Sequence, residues 1–228
     1  MKNKVIFFDI DGTLLSTGGA GQLAMERALT RDFRISFPFE GVLTAGRTDR
    51  GIAIEIFERY TVEDTPENRR RFENAYLSHL PDTLKEAPGL LLPGVNELLS
   101  QLAMTDLTLS ILTGNYEEGA RIKLQHYELD HYFVSGGFGD DHPDRDDVAR
   151  MALNNISSHL AEPIPGRDTM VIGDTPADIK CARAIGAIAV GVATGHYSED
   201  QLAEQNPDLV LTDFADATTV ARQLSELF

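Results

Sequence analysis

Residues 5–15 read Val5-Ile6-Phe7-Phe8-Asp9-Ile10-Asp11-Gly12-Thr13-Leu14-Leu15. Four consecutive apolar residues suit a strand buried on both faces. Two carboxylates, Asp9 and Asp11, stand directly against the end of that run, although burying an unpaired charge is costly. The conflict disappears if the carboxylates stand at the rim of a sheet with compensating charge beside them. A period of two sends both side chains the same way, provided the strand geometry persists one step further. Gly12 then permits a sharp turn.

Comparable apolar runs recur at 107–112, 170–172, 188–192 and 209–211. Between most of them lie stretches with helical spacing, such as Val95, Leu98, Leu99 and Leu102, or Ile179, Ala182 and Ile185. Alternation of this kind predicts an α/β fold, a Rossmann-like parallel sheet with helices on both faces. Residues 16–87 break the rhythm with helical patterns only, and Pro88, Gly89, Pro93 and Gly94 mark its return. The expected organisation is therefore a core of residues 1–15 and 88–228 with a small helical insert, or cap, at 16–87. Residues 206–228 read as a last strand and helix.

The chain has 228 residues, 42% of them hydrophobic, which is enough for a substantial core. Its net charge of −16 repels nucleic acid and anionic lipid, so neither is an expected partner. A single cysteine, Cys181, rules out an intrachain disulfide or a cysteine zinc cluster and fits a reducing compartment. Lys2 and Lys4 precede an apolar stretch too short for a signal-peptide core or a membrane span. The cytoplasm is the expected location. No feature of the sequence separates a monomer from a homodimer.

Three apolar runs end in polar residues: Asp9 after the first, Thr113-Gly114-Asn115 after 107–112, and Gly173-Asp174-Thr175 after 170–172. In an open parallel sheet, ligands bind at the carboxyl ends of the strands, so these three tips are expected to share one crevice. Asp-Gly and Gly-Asp-Thr-Pro are each ordinary turn or capping sequences alone, and it is their joint occurrence that carries the argument. Asp9, Asp11, Asp174 and Asp178 together would repel one another unless a cation sat among them, and hard oxygen ligands suit Mg²⁺.

Asp9, Asp11 and Thr13, then Thr113 at a strand end, then Asp174 and Asp178 in GDTPAD resemble the ordered motifs of the haloacid dehalogenase superfamily of hydrolases, most closely its phosphoglycolate phosphatase-like enzymes. The resemblance spans nearly the whole chain. It implies that Asp9 attacks phosphorus to form an aspartyl-phosphate and that Asp11 protonates the leaving alkoxide and later activates water. It further implies that Thr13 holds the loop, and that Thr113, Gly114 and Asn115 bind phosphoryl oxygens. Asp9, the Asp11 position and Asp174 would bind Mg²⁺, with Asp178 assisting. The family commonly carries a Lys-Pro motif ahead of a late core helix, but the equivalent stretch here is GDDHPDRDD, without a lysine. Lys123, on the helix after Thr113, is the preferred replacement as catalytic and phosphate-binding cation, and Arg145 is the other candidate. In the insert, TAGRTDRG at 44–51 offers Arg47 for a substrate carboxylate, against the plainer reading of a surface ion pair.

The expected function is Mg²⁺-dependent hydrolysis of a small phosphorylated metabolite. A phosphomutase of the same family, which returns the phosphoryl group to a sugar, is the nearest rival, and a non-catalytic Mg²⁺-binding signalling or interaction module is the alternative from another class. A 2-haloacid dehalogenase leaves Asp11 without a task. Gly19 to Ala24 matches a dinucleotide fingerprint by letter, but it follows no strand and reads as a helix start. The sequence contains no Walker A loop. A calcium loop starting at Asp9 fails because Ala20 stands where its glutamate belongs. The six histidines show no zinc-ligand spacing and read as scattered surface or packing residues.

Overall fold

The computed structural model describes residues 3–36, 38–39 and 41–228. The elements in chain order are β1 (Lys4–Phe8), β2 (Leu15–Ser16), α1 (Ala20–Phe33), α2 (Asp49–Arg59), α3 (Pro66–Glu86), β3 (Leu90–Leu91), α4 (Val95–Ala103), β4 (Leu107–Leu112), α5 (Glu117–His126), β5 (Gly136–Gly137), α6 (Arg145–His159), β6 (Thr169–Gly173), α7 (Pro176–Ala184), β7 (Ile188–Val192), α8 (Glu199–Ala203), β8 (Leu209–Leu211) and α9 (Ala217–Glu226). Lys2, used above in the reading of the N-terminus, lies outside the described residues.

Six strands form one sheet in the order β5-β4-β1-β6-β7-β8, with every pairing parallel. The order runs outward in both directions from β1, as in a doubly wound sheet, so the direction of winding switches beside β1. Side chains of β1 alternate between two cores. Ile6 and Phe8 join Leu98, Leu99 and Leu102 of α4, Leu124 of α5 and Leu224 of α9 on one face. Val5 and Phe7 join Val148 and Ile156 of α6, Ile179 of α7 and Leu202 of α8 on the other. Both faces are covered, so the strands are apolar at nearly every position, which is the pattern read in the sequence. Leu99 is fully buried, and truncating it to Ala would cost about 2–5 kcal/mol.

Helices α1, α2 and α3 carry an apolar cluster of their own, including Leu29, Ile56, Phe57, Phe72, Tyr76 and Leu80. Thr48 and Thr65 cap α2 and α3 by accepting from Gly51 N–H and Asn68 N–H. A short antiparallel pair, β2 with β3, joins the two ends of this helical unit where it leaves and rejoins the sheet. Two-residue strands are too short to show alternation, and the pair was not expected from the sequence. Among the described residues, no helix is long and apolar enough to cross a membrane.

Candidate active site

The register brings the three strand tips level. Phe8 lies opposite Ile111 of β4 on one side and Ile172 of β6 on the other, and Asp9 N–H continues the ladder to the Ile172 carbonyl at 3.0 Å. Asp9, Thr113 and Asp174 therefore leave the sheet side by side at the winding switch.

Asp9 and Asp11 do not point the same way, contrary to the period-two expectation. Strand β1 ends at Phe8, before either carboxylate, and Gly12 takes a positive φ of 84° just after Asp11, so the extended geometry that would align the two does not persist. Asp9 keeps the direction of Val5 and Phe7, toward α6 and α7, where Arg145 Nη1 lies 3.5 Å from its Oδ1. The second guanidinium nitrogen of Arg145, Nη2, pairs with Asp178. Asp11 turns to the opposite layer: its Oδ2 accepts from Lys123 Nζ at 2.6 Å and from Asn115 Nδ2 at 2.8 Å. The two candidate cations are thus both buried in the site, Arg145 against the first carboxylate and Lys123 against the second.

Asn115 ties this half together. Its two amide hydrogens go to Asp11 and to Thr113 Oγ1, at 2.8 Å each, and its Oδ1 accepts from Lys123 at 2.5 Å. With both hydrogens committed within the protein, its side chain serves to orient Asp11 and Thr113. Asp178 is similarly occupied. Its Oδ2 accepts from the Thr175 amide at 3.0 Å and the Thr175 hydroxyl at 2.7 Å, closing a capping box on α7, while Oδ1 takes Arg145.

Oxygens of Asp9, Asp174 and Asp178 lie within 4.8 Å of one another, and all three residues are buried. The donor set is one of hard oxygens, as Mg²⁺ prefers. Asp9 Oδ1 is buried with no hydrogen-bond partner, and Asp174 accepts from Thr13 Oγ1, at 3.2 Å on Oδ1. Asp9 and Asp174 are thus the residues with oxygens to spare, and their chemistry fits a divalent cation. The Asp11 side chain stands outside this cluster, held by Lys123. Two glycines make room for Asp174: a Cβ on Gly12 would sit 2.5 Å from its Oδ2, and one on Gly195 only 1.7 Å. Burial pushes the Asp9 carboxyl up to about 7, with Arg145 opposing and Asp178 and Asp11 adding to the rise. Burial pushes Asp174 up to about 8, with further increases from Asp178 and Asp9.

The helical unit lies directly over these groups. Asp49, the first residue of α2, donates its N–H to the Gly114 carbonyl at 2.7 Å and accepts Tyr116 N–H on Oδ2 at 2.9 Å. A Cβ on Gly114 would fall 2.1 Å from the Arg47 carbonyl, so only glycine admits this approach. Between the helical unit and the sheet is a cavity of about 380 Å³. Arg47 borders it, but its guanidinium is engaged by Glu55, by Leu43 O at 3.1 Å and by Gly51 O at 3.0 Å. Asp49 and Tyr76 also border the cavity and were not singled out in the sequence. An acid in the first turn of a helix is usually a solvated dipole partner, and an aromatic at helical spacing is usually core, so neither carried a signal. His196, read as a scattered histidine, stands exposed at the cavity's rim.

A family model for haloacid dehalogenase-like hydrolases matches residues 6–183. Over 98% of its length the chain is 29% identical to "Probable phosphatase IndB" of Dickeya dadantii (strain 3937), covering 95% of that protein. It is 26% identical to a phosphoglycolate phosphatase of Photorhabdus laumondii, with 93% of this chain and 90% of that protein covered. Among solved structures, a hydrolase from Pseudomonas syringae superposes with a TM-score of 0.71 at 24% identity, over 98% of this chain and 99% of that one, a likeness of fold.

Proposed function

We propose, from the premise that this chain belongs to the haloacid dehalogenase-like hydrolase family and is a hydrolase of the phosphatase type, that it hydrolyses a small phosphate monoester through an aspartyl-phosphate on Asp9. The observation that carries this reading is Asp9 Oδ1 itself: buried, without a hydrogen-bond partner, beside Arg145 and facing a cavity. A carboxylate so placed has a lone pair free for in-line attack on phosphorus.

In the proposed reaction, Asp9 attacks the phosphorus while the ester oxygen leaves and takes a proton from Asp11. Lys123 and Asn115 hold Asp11 by Oδ2 alone, which leaves Oδ1 for that transfer. Water, deprotonated by Asp11, then attacks the acyl-phosphate, releasing inorganic phosphate and restoring Asp9. Thr113, oriented by Asn115, and the Gly114 amide offer donors to the phosphoryl oxygens. Arg145 supplies positive charge beside the negative charge of the phosphoryl oxygens and is kept in place by Asp178. Asp9 and Asp174 would hold Mg²⁺, with the backbone at Asp11 contributing as the family resemblance implies; bound there, the cation neutralises carboxylates and withdraws charge from the phosphoryl oxygens.

The helical unit acts as a cap in this reading, and its closeness to Gly114 and Tyr116 keeps bulk water from the acyl-phosphate. A cavity of about 380 Å³ admits a small soluble metabolite and not a phosphorylated protein segment. Assaying Asp9→Asn against a panel of phosphate esters tests the nucleophile. Loss of roughly a thousandfold or more in kcat is expected, and unchanged turnover would remove Asp9 from the mechanism.

A further inference from the structure

Resting on the phosphatase reading, the polar lining of the cavity narrows the class of ester. Its floor is Asp9, Thr113 and Asp174, and its far wall includes Met25, Ile52, Tyr76 and Asp49 from the helical unit. The cations that border it are already engaged. Lys123 Nζ serves Asp11 and Asn115, Arg47 serves Glu55 and two carbonyls, and Arg145 serves the floor carboxylates. His196 stands only at the exposed rim. Among the described residues that border the cavity, no cation on the far wall is left for a second anionic group; Arg50, with an unpaired Nη1, does not reach the lining.

Two polar groups there have bonding capacity to spare. Asp49 is 7% exposed, and the Tyr116 N–H occupies its Oδ2, which leaves Oδ1 without a partner among the described residues. The Tyr76 hydroxyl is fully buried within the structure and unpaired. Gly119 leaves it room, since a Cβ added there would come within 3.3 Å of that oxygen. A buried phenol without a partner is costly, and a ligand that supplies the missing bond recovers that cost.

We propose that Asp49 and Tyr76 recognise hydroxyl groups on the leaving alcohol, so that the substrate is the phosphate ester of a small neutral polyol or sugar and not of a hydroxy-carboxylic acid. A hydroxyl donates to Asp49 Oδ1, and a hydroxyl accepts from Tyr76. A carboxylate at the same place meets Asp49, and the cation nearest to it, Lys123, is already shared between Asp11 and Asn115. An ammonium group satisfies Asp49 but gives Tyr76 no acceptor. Burial and the nearby carboxylates of Asp49 and Asp11 hold the phenol well above its ordinary range, and hence as a donor. The preference runs against the substrate in the name of the phosphoglycolate phosphatase relative.

The test compares kcat/KM for glycerol phosphate and sugar phosphates with that for phosphoglycolate and phosphoglycerate, in wild type, Asp49→Asn and Tyr76→Phe. Asn keeps an acceptor for the Tyr116 amide, so the loop retains its anchor. Wild type should favour the polyol esters by about tenfold or more, and each variant should reduce that ratio severalfold. A wild-type preference for the carboxylated esters, or variants that slow both classes equally, would overturn the assignment. Thermal shifts of Asp9→Asn with the same esters read binding without turnover. Greater stabilisation by polyol phosphates supports the specificity even if the wild type hydrolyses nothing, in which case only the phosphatase reading fails; equal shifts, or larger shifts with the carboxylated esters, count against it.

Discussion

Lys123 Nζ lies 2.6 Å from Asp11 Oδ2, linking α5 to the turn after β1. The lysine is 4% exposed and the aspartate side chain 40%, so the pair is half open to the cavity. Its Coulomb energy is partly screened, and its role is to aim Asp11. Lys123→Met should therefore lower kcat by roughly a hundredfold or more while shifting the melting temperature by only a few degrees. Steady-state kinetics beside a thermal melt checks this, and a collapse of both together would make the lysine structural.

Arg145 is different because both of its partners are buried. Arg145→Ala leaves Asp9 and Asp178 facing each other without their cation, which should cost about 3–5 kcal/mol at neutral pH. Protonation relieves the repulsion, so the deficit should shrink on acidification. Urea unfolding of variant and wild type at pH 5 and pH 7.5, without divalent ions, measures it.

Gly195 touches Asp174 so closely that any side chain must push the carboxylate aside. Gly195→Ala should weaken Mg²⁺ binding by about 10–100-fold, as expected when a ligand's support is disturbed. Isothermal titration with Mg²⁺ reports the change directly, and unaltered affinity would show that Asp174 is not a ligand.

Without a divalent ion, Asp9 and Asp174 titrate near 7 and near 8, both above the ordinary aspartate value of 3.8. Mg²⁺ requires the ionised forms, so its affinity should rise as pH increases from 6 to 8, with protons released on binding. The sign for stability follows from the same shifts. A carboxyl whose folded pKa is raised favours the folded state while protonated, and that contribution is lost as pH climbs toward the folded value, at up to about 1.4 kcal/mol per pH unit per group. Metal-free protein should therefore be more stable at pH 5.5 than at pH 8.5, and Mg²⁺ should restore most of the loss at the higher pH. Chemical unfolding across that range, with EDTA or with Mg²⁺, tests both statements.

Hydrolysis and phosphoryl return to a sugar share the same first step. In oxygen-18 water, a phosphatase releases phosphate carrying solvent oxygen at every turnover, whereas a mutase gives unlabelled sugar phosphate. Mass spectrometry of the products from a polyol phosphate should find the label in inorganic phosphate.

Sequence by itself determined the layers. Runs such as 5–8 and 188–192 carry no polar side chain at any position because both faces of the sheet are covered, and periodicity records that directly. It also located the strand tips, since Asp9, Thr113 and Asp174 interrupt apolar runs where the chain leaves the sheet. Two-residue strands at 15–16 and 90–91 left no trace, being shorter than the period that would reveal them. Only the tertiary structure decided the division of labour. The strand stops at Phe8, so Asp9 and Asp11, two residues apart, face different layers and meet different cations, Arg145 and Lys123. Likewise Asp49 and Tyr76 look like a first-turn acid and a core aromatic until the helical unit folds down over the strand tips and closes a cavity around them. Local patterns encode which face of an element is buried, but which polar atoms go unpaired depends on contacts between residues far apart in the chain.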